Sequence, residues 1–302
     1  MNRVAAPPGA GNRLPWLERD YAAGYVFLAP FLIFLLLFMI IPIIQGLYIS
    51  FYNWGILDEP VFIGLGNFQS MLQEGDFWSS LWHTVYFVIL STLPLVGLGL
   101  IFALGLNNTF RGKVLARGMV FFPYLLTVSV VATIWRWLLQ EHFGLVNYYL
   151  VKIGLMKLNW LGDANLAMVS ITLATIWWTV GFNVIIFLAA LQEIPEELYE
   201  AAKIDGAGSF QSFYCITIPQ LKSSMIFVFI TQIIASFQVF GQVNVMTGGG
   251  PFGSTRTMVH YIYEQGFKFL KMGYASAVAY VLFAIMFAFT IAQWKLFKTE
   301  NE

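Results

Sequence analysis

Six stretches of this chain carry no charged residue: 24–51, 81–110, 118–135, 165–192, 223–255 and 272–294. An apolar stretch of about 18 or more residues can cross a hydrocarbon core of about 30 Å, because a helix satisfies every backbone amide within its own segment. Composition agrees. The 302 residues are 59% hydrophobic and 11% charged, where soluble domains hold about 45–50% and about 25%, so a water-soluble globule is excluded. Sixteen Lys and Arg balance sixteen Asp and Glu. That leaves no basic face for nucleic acid, and none is expected as a partner. The single Cys215 excludes a disulfide framework within the chain and a thiolate-only metal site. The expected fold is an all-α membrane protein, surrounded by lipid.

Residues 23–297 are expected to hold six transmembrane helices, at 24–51, 82–106, 117–139, 166–191, 222–246 and 272–296, between tails at 1–22 and 298–302. The first run is too long for a cleaved signal segment and lacks an Ala-x-Ala site, so it reads as a helix. Pro30, Pro42, Pro94 and Pro123 are expected as kinks that neighbouring helices tolerate. Orientation follows from the positive charges. With both termini cytoplasmic, ten Lys and Arg lie inside, including Arg3, Arg13, Arg19, Arg111, Lys113 and Arg117, against six outside. The first outer loop instead carries Asp58, Glu59, Glu74 and Asp76, as the positive-inside rule prefers. The expected location is the inner (plasma) membrane, crossed several times.

The segment 193–219 differs from its surroundings. Pro195 suits a first helical position, Glu196 and Glu197 complement a helix N-terminus, and Gly206 is placed to end the helix. A second short helix starts at Ser209 with Phe210, Phe213 and Ile216 on one side, and Pro219 opens the fifth span. This predicts a hairpin of two short helices on the cytoplasmic face. Its acidity argues against adsorption to anionic lipid, and its small residues suit close docking into another protein.

Here the sequence resembles a family. Glu200-Ala201-Ala202-x-x-Asp205-Gly206-Ala207, followed by Phe213, Ile216 and Pro219, is similar to the EAA loop of ABC importer permeases, with Ile218 where Leu is usual. Phe62-Ile63-Gly64-Leu65-Gly66-Asn67-Phe68, Phe143-Gly144-Leu145-Val146-Asn147 with Trp160-Leu161, and Met246-Thr247-Gly248-Gly249-Gly250-Pro251 running on to Met272-Gly273-Tyr274-Ala275-Ser276-Ala277 resemble the carbohydrate-uptake branch, of maltose and glycerol-phosphate type. The resemblance implies a type I importer bundle that pairs with a second homologous permease. It also implies two ATP-binding cassette subunits and an extracytoplasmic solute-binding protein, with a sugar or related polyol as solute. Glu200 would pair with a basic residue of the ATPase subunit, Ala201 and Ala202 would allow close contact, and Asp205, Gly206 and Ala207 would shape the turn. Closure of the ATPase pair would then swing the permease from inward-facing to outward-facing.

No Gly-x-x-x-x-Gly-Lys-Ser/Thr occurs, so no ATP site is expected in this chain. Gly248-Gly249-Gly250-Pro251 lacks the lysine and is expected as a flexible outer loop. His83, His142 and His260 have no ligand spacing and are expected at interfaces or in loops; no metal, cofactor or enzymatic role is foreseen. No acidic residue falls within a span, which weakens an ion-coupled carrier or channel, the competing reading. Polar side chains of the fifth helix are the candidate solute path: Gln238 and Gln242, one turn apart, and Asn244, with Phe237 and Phe240 as gate or stacking residues. Asn183 and Tyr280 are further candidates. Gln232 and Ser236 share the same helix one turn apart, and polar residues in membrane bundles also serve as interhelical glue.

Overall fold

The computed structural model describes residues 20–55 and 59–298. Arg3, Arg13, Arg19, Asp58 and residues 299–302 lie outside the described residues, as does most of the expected N-terminal tail. The first span is α1 (Asp20–Leu35), a π-turn at Leu36–Ile40 and α2 (Ile41–Ile49). A two-residue ribbon follows, β1 (Tyr52–Asn53) antiparallel to β2 (Val61–Phe62). Then come α3 (Gly66–Gln73), α4 (Gly75–Asn107), α5 (Lys113–Phe121), α6 (Val128–Leu138), α7 (Leu145–Lys152) and α8 (Ala167–Gln192). Next are α9 (Glu196–Ile204), α10 (Ser209–Ser212), α11 (Ile218–Phe237), α12 (Gly241–Met246), α13 (Met258–Tyr263) and α14 (Met272–Lys298).

The centre is the pair α4 and α8. Glycine at 99 makes it possible: a Cβ there would stand 2.8 Å from the Cβ of Asn183, so the two backbones pack as small residues allow in membrane bundles. Leu95 and Ala103 of α4, Val184, Phe187 and Leu191 of α8, and Leu221 and Val228 of α11 close one buried cluster around them. Gly181 lets α8 meet the end of α5, since a Cβ would run into the Val120 carbonyl. The first span stands apart. Its most apolar window holds no buried residue, and α2 leans on α14 where Gly46 lies under the Tyr280 ring.

Three expected helices need correction. The second begins at Gly75 rather than 82, because Asp76 falls in the first turn, where the helix dipole favours a carboxylate. The third is two helices bent by 98°, not one kinked rod over 117–139. Pro123 lies in a tight 3₁₀ turn at Phe122–Leu125, and Leu126 and Thr127 are extended. Backbone freed there is satisfied by a neighbour: the Trp178 indole N–H donates to the Leu126 carbonyl at 3.1 Å. The fifth does not run to 246. α11 ends at Phe237, and α12 restarts after Gln238, Val239 and Phe240. Here Thr257 Oγ1 donates to the freed Val239 carbonyl at 3.0 Å. Gln238 and Gln242 are therefore not one turn apart on one helix.

Proline also acts through π-turns. Among the described residues, two of the three π-turns, at Leu36–Ile40 and Phe213–Thr217, directly precede an Ile-Pro pair, Ile41-Pro42 and Ile218-Pro219, while the third, at Glu264–Lys268, is followed by no proline. A proline has no N–H for the carbonyl four residues back and crowds it, and a widened turn relieves that clash without ending the helix. Ile218 N–H bonds the Phe213 carbonyl, five back. Consequently α10, the π-turn and α11 form one helix from Ser209 to Phe237. The second arm of the expected hairpin is the start of the fifth span, and Pro219 does not open it.

At the end of the bundle opposite α9, side chains tie the connections down. Asn67 Nδ2 donates to the carbonyls of Ser50 and Tyr52, both at 2.8 Å, closing the C-terminus of α2. The Gly273 N–H reaches the Trp54 carbonyl at 3.0 Å, and a Cβ on Gly273 would collide with the Tyr52 carbonyl. Asn147, 1% exposed, donates to the Glu141 and Leu158 carbonyls and accepts from the Leu158 N–H and the Trp160 indole. Tyr261 and Tyr274 both donate to Glu74, at 3.2 and 2.5 Å. Arg256 pairs with Asp76.

Asn147→Ala should lower stability by about 2–4 kcal/mol, since four partners are orphaned together, read as a drop in the thermal midpoint of the detergent-solubilised protein. Gly273→Ala should sharply reduce the yield of monodisperse protein, whereas Gly75→Ala, where a Cβ meets nothing within 4 Å, should leave it unchanged.

Candidate functional site

The surface that the sequence singles out sits on α9. Pro195 is extended and occupies the position before the helix, one place earlier than expected. Glu196 and Glu197 fill the first turn and Lys203 the last, so charge and dipole agree at both ends. The helix ends in a Schellman turn. The Gly206 N–H bonds the Lys203 carbonyl at 3.1 Å, and the Ala207 N–H bonds the Ala202 carbonyl at 2.9 Å. Gly206 has φ +81°, a conformation that glycine adopts without strain.

Glu200, Ala201, Asp205 and Gly206 are exposed, while Ala202 and Ala207 are half-buried. Two apolar side chains outside the expected coupling set join this surface: Ile204 is 86% exposed and Phe210, expected on one side of the second short helix, 75%. The Phe210 ring leans on Tyr214 at 4.7 Å between centroids. The knob therefore presents carboxylates beside bare apolar side chains. It is braced from behind by the Tyr199 hydroxyl, 2.9 Å from Thr217 Oγ1 in the π-turn. The arrangement has the features of a docking surface. Among the described residues, no group of three or more His, Cys, Asp or Glu could hold a metal.

The candidate solute-path residues do not form one site. Gln238 is exposed at the end of α11, and Phe240 is half-buried two residues on. Gln242 is buried and donates to Thr175 Oγ1 at 3.5 Å, and half-buried Asn244 follows on α12. These four gather around the helix break. Phe237 is instead core, 5.6 Å from the Phe289 ring. Asn183 is core too, donating to Leu95 and Gln232. Tyr280 faces the first span and donates to the Ile43 carbonyl. Nothing local in the sequence separates these two groups; only packing does.

Phe240 leads to a second unexpected cluster. Its ring lies 5.1 Å from Tyr263 and 6.1 Å from His260. His260 is fully buried on α13 rather than interfacial or in a loop. Burial pushes its pKa below the ordinary histidine value, against the upward pull of Glu264 at 3.7 Å. It is neutral at physiological pH. Tyr261 next to it is pushed up to about 12, chiefly by burial. The glycine-rich segment is a built turn, not a flexible loop. Thr255 Oγ1 donates to the Gly250 carbonyl at 2.7 Å and lies 2.8 Å from Thr247 Oγ1. Gly249, at φ +87°, packs on the His260 ring, where a Cβ would approach to 2.8 Å.

Comparison with known proteins places this architecture. Residues 76–296 match the family described as binding-protein-dependent transport system inner membrane component. The chain is 35% identical to the probable ABC transporter permease YurN of Bacillus subtilis, over 92% of this chain and 97% of that one. It is also 35% identical to the trehalose/maltose transport system permease MalF of Thermococcus litoralis, over 92% and 94%. The sn-glycerol-3-phosphate transport system permease UgpA of Agrobacterium fabrum is 34% identical over 90% and 93%. In fold, the chain is similar to a chain of a bacterial ABC transporter that imports alginate, with a TM-score of 0.84 and 23% identity over 95% of this chain and 98% of that one. The chain thus belongs to the binding-protein-dependent transport system inner membrane component family, as a multi-pass permease subunit of an ABC importer and not an enzyme.

Proposed function

We propose that this chain forms half of a translocation path for a sugar or related polyol, with a second homologous permease as the other half. Two ATP-binding cassette subunits drive it, and an extracytoplasmic binding protein delivers the solute. The exposed α9 knob carries this reading. A helix with carboxylates and bare Ile204 on its surface, joined through a short turn to a membrane-spanning rod that begins with bare Phe210, is suited to receive force from another polypeptide. Glu200 pairs with a cation of the ATPase subunit, Ala201 and Ala202 permit close approach, and Asp205, Gly206 and Ala207 hold the turn. This end is cytoplasmic under the positive-inside bias.

The relatives named for trehalose and maltose or for glycerol 3-phosphate support a polyhydroxylated solute. The helix break supplies matching groups: the amides of Gln238, Gln242 and Asn244 and the face of Phe240. A break in a membrane helix is tolerated where it lines a cavity or is buried in protein, and hydroxyl-rich solutes need hydrogen-bonding partners of this kind. Asn183, Phe237 and Tyr280 support the path from behind rather than touching solute.

The test is reconstitution of the chain with its partner permease, ATPase subunits and binding protein in liposomes. Uptake should require ATP and binding protein. Uptake by this chain alone under an ion gradient, without nucleotide, would return the ion-coupled reading. Glu200→Lys should abolish ATP-driven uptake and co-purification of the ATPase while the subunit still inserts, and Gly206→Pro should do the same because proline cannot adopt φ +81°. Gln242→Ala should change uptake kinetics by about tenfold, as losing a hydrogen bond to solute of about 1.4 kcal/mol would, with ATPase co-purification unaffected.

A further inference from the structure

Between α6 and α8 the chain leaves the bundle as a clasped finger. Its root is Asn147, whose amide holds both the carbonyl and the N–H of Leu158, so α7 and the segment returning from it are tied together. Its tip is a built turn. Gly154, at φ +84°, follows α7, and the Leu155 N–H bonds the Leu150 carbonyl at 2.9 Å. The tip nevertheless presents bare apolar side chains. Tyr148, Tyr149, Ile153, Leu155 and Met156 are all exposed, Ile153 by 70% and Met156 by 84%. A contiguous apolar surface on a fixed, hydrogen-bonded segment marks a place that something else covers.

Height and charge identify the cover as lipid. The Trp160 indole N–H donates to Asn147 at 3.0 Å, and the Trp160 carbonyl accepts from Ser170 Oγ at 2.8 Å, in the first turn of α8. The charge-free run of that span begins at residue 165. The root of the finger is therefore pinned level with the point where a membrane helix leaves the hydrocarbon, the depth at which Trp and Tyr concentrate. Within 144–162 the charged residues are Lys152 and Lys157, both exposed. Among the described residues, neither forms an ion pair. Apolar side chains interleaved with lysines match acyl chains beneath anionic headgroups. A soluble protein that docks and departs would leave this surface bare to water between visits, whereas a bilayer covers it throughout.

We propose that residues 148–157 are an anchor in the outer leaflet that selects anionic phospholipid, with Lys152 and Lys157 at the phosphates and Ile153 and Met156 among the acyl chains. The anchor has a mechanical use. α6 has 11 residues, about 16 Å, roughly half a membrane crossing, so its own length does not fix its depth. α7 touches α6, and Gly241 of α12, just past the helix break, packs on Val128 of α6. Holding the finger at the interface thus sets the height of both.

The test uses the assembled transporter in lipid nanodiscs, with partner subunits free of cysteine and Cys215→Ser in this chain, since Cys215 is exposed. Ile153→Cys and, separately, Met156→Cys carry a nitrobenzoxadiazole label; both sites are exposed, so folding is not at stake. The label should be quenched by nitroxide lipids and be reduced by aqueous dithionite far more slowly than one on exposed Gln69→Cys, with or without binding protein. Nitroxide phosphatidylglycerol should quench more than nitroxide phosphatidylcholine. That preference should fall by about fivefold for each lysine neutralised in Lys152→Gln and Lys157→Gln. Reduction as fast as at Gln69→Cys, or equal quenching by the two lipids, would overturn the anchor. So would shielding that appears only when binding protein is added, which would make that protein the occupant, or shielding from water and lipid alike, which would make it the second permease.

Discussion

Backbone and side-chain polar groups carried into hydrocarbon have no water to fall back on, so each must find its partner within the protein. That constraint shapes every irregular feature of this bundle. The two breaks in the spans, at Leu126–Thr127 and at Gln238–Phe240, are each met by one donor from elsewhere, Trp178 and Thr257. The Ile41-Pro42 and Ile218-Pro219 pairs are absorbed by π-turns that keep the helix going. A bundle that obeys the constraint tolerates a non-helical segment within a span, provided the freed carbonyls are answered by neighbours.

The two ends of the molecule are built differently. Opposite α9, Asn67, Asn147, Glu74, Arg256 and Gly273 fasten the connections to one another through buried or short contacts. At the α9 end, the surface is left open, with Glu200 and Ile204 exposed and the hydroxyl pair of Tyr199 and Thr217 bracing it. One end is clasped and the other is left open. The unbroken helix from Ser209 to Phe237 is the physical link between them.

Much of the fold was legible because hydrophobicity is a one-dimensional property. The fourth and sixth spans were expected at 166–191 and 272–296 and lie at Ala167–Gln192 and Met272–Lys298. The helix α9 was legible from local rules alone: an acidic first turn and a glycine at the turn. What failed were readings that needed neighbours. The expectation that Pro123 merely kinks a span, that Pro219 starts one, and that Gln238 and Gln242 share a face all assumed ideal helices in isolation. The motif residues Asn67, Asn147 and Gly273 stood in the sequence as elements of a resemblance, but their work, capping a helix end, filling a four-way hydrogen-bond hub and admitting a carbonyl, had no local signature.

By itself, the order of residues determined that this chain lives in a membrane, how many times it can cross, which segment stays outside the bilayer, and that this segment is acidic, small-sided and ended by glycine. Those properties depend on transfer free energies and on hydrogen bonds within a few residues. Only the tertiary structure decided which amides are core and which line a break, burying Asn183 and Gln232 while leaving Gln238 exposed. It alone turned His260 inward beneath Gly249. The reason is that a polar group in hydrocarbon is placed by whichever partner reaches it, and those partners come from spans up to 145 residues away in sequence, as Ser91 and Ser236 are.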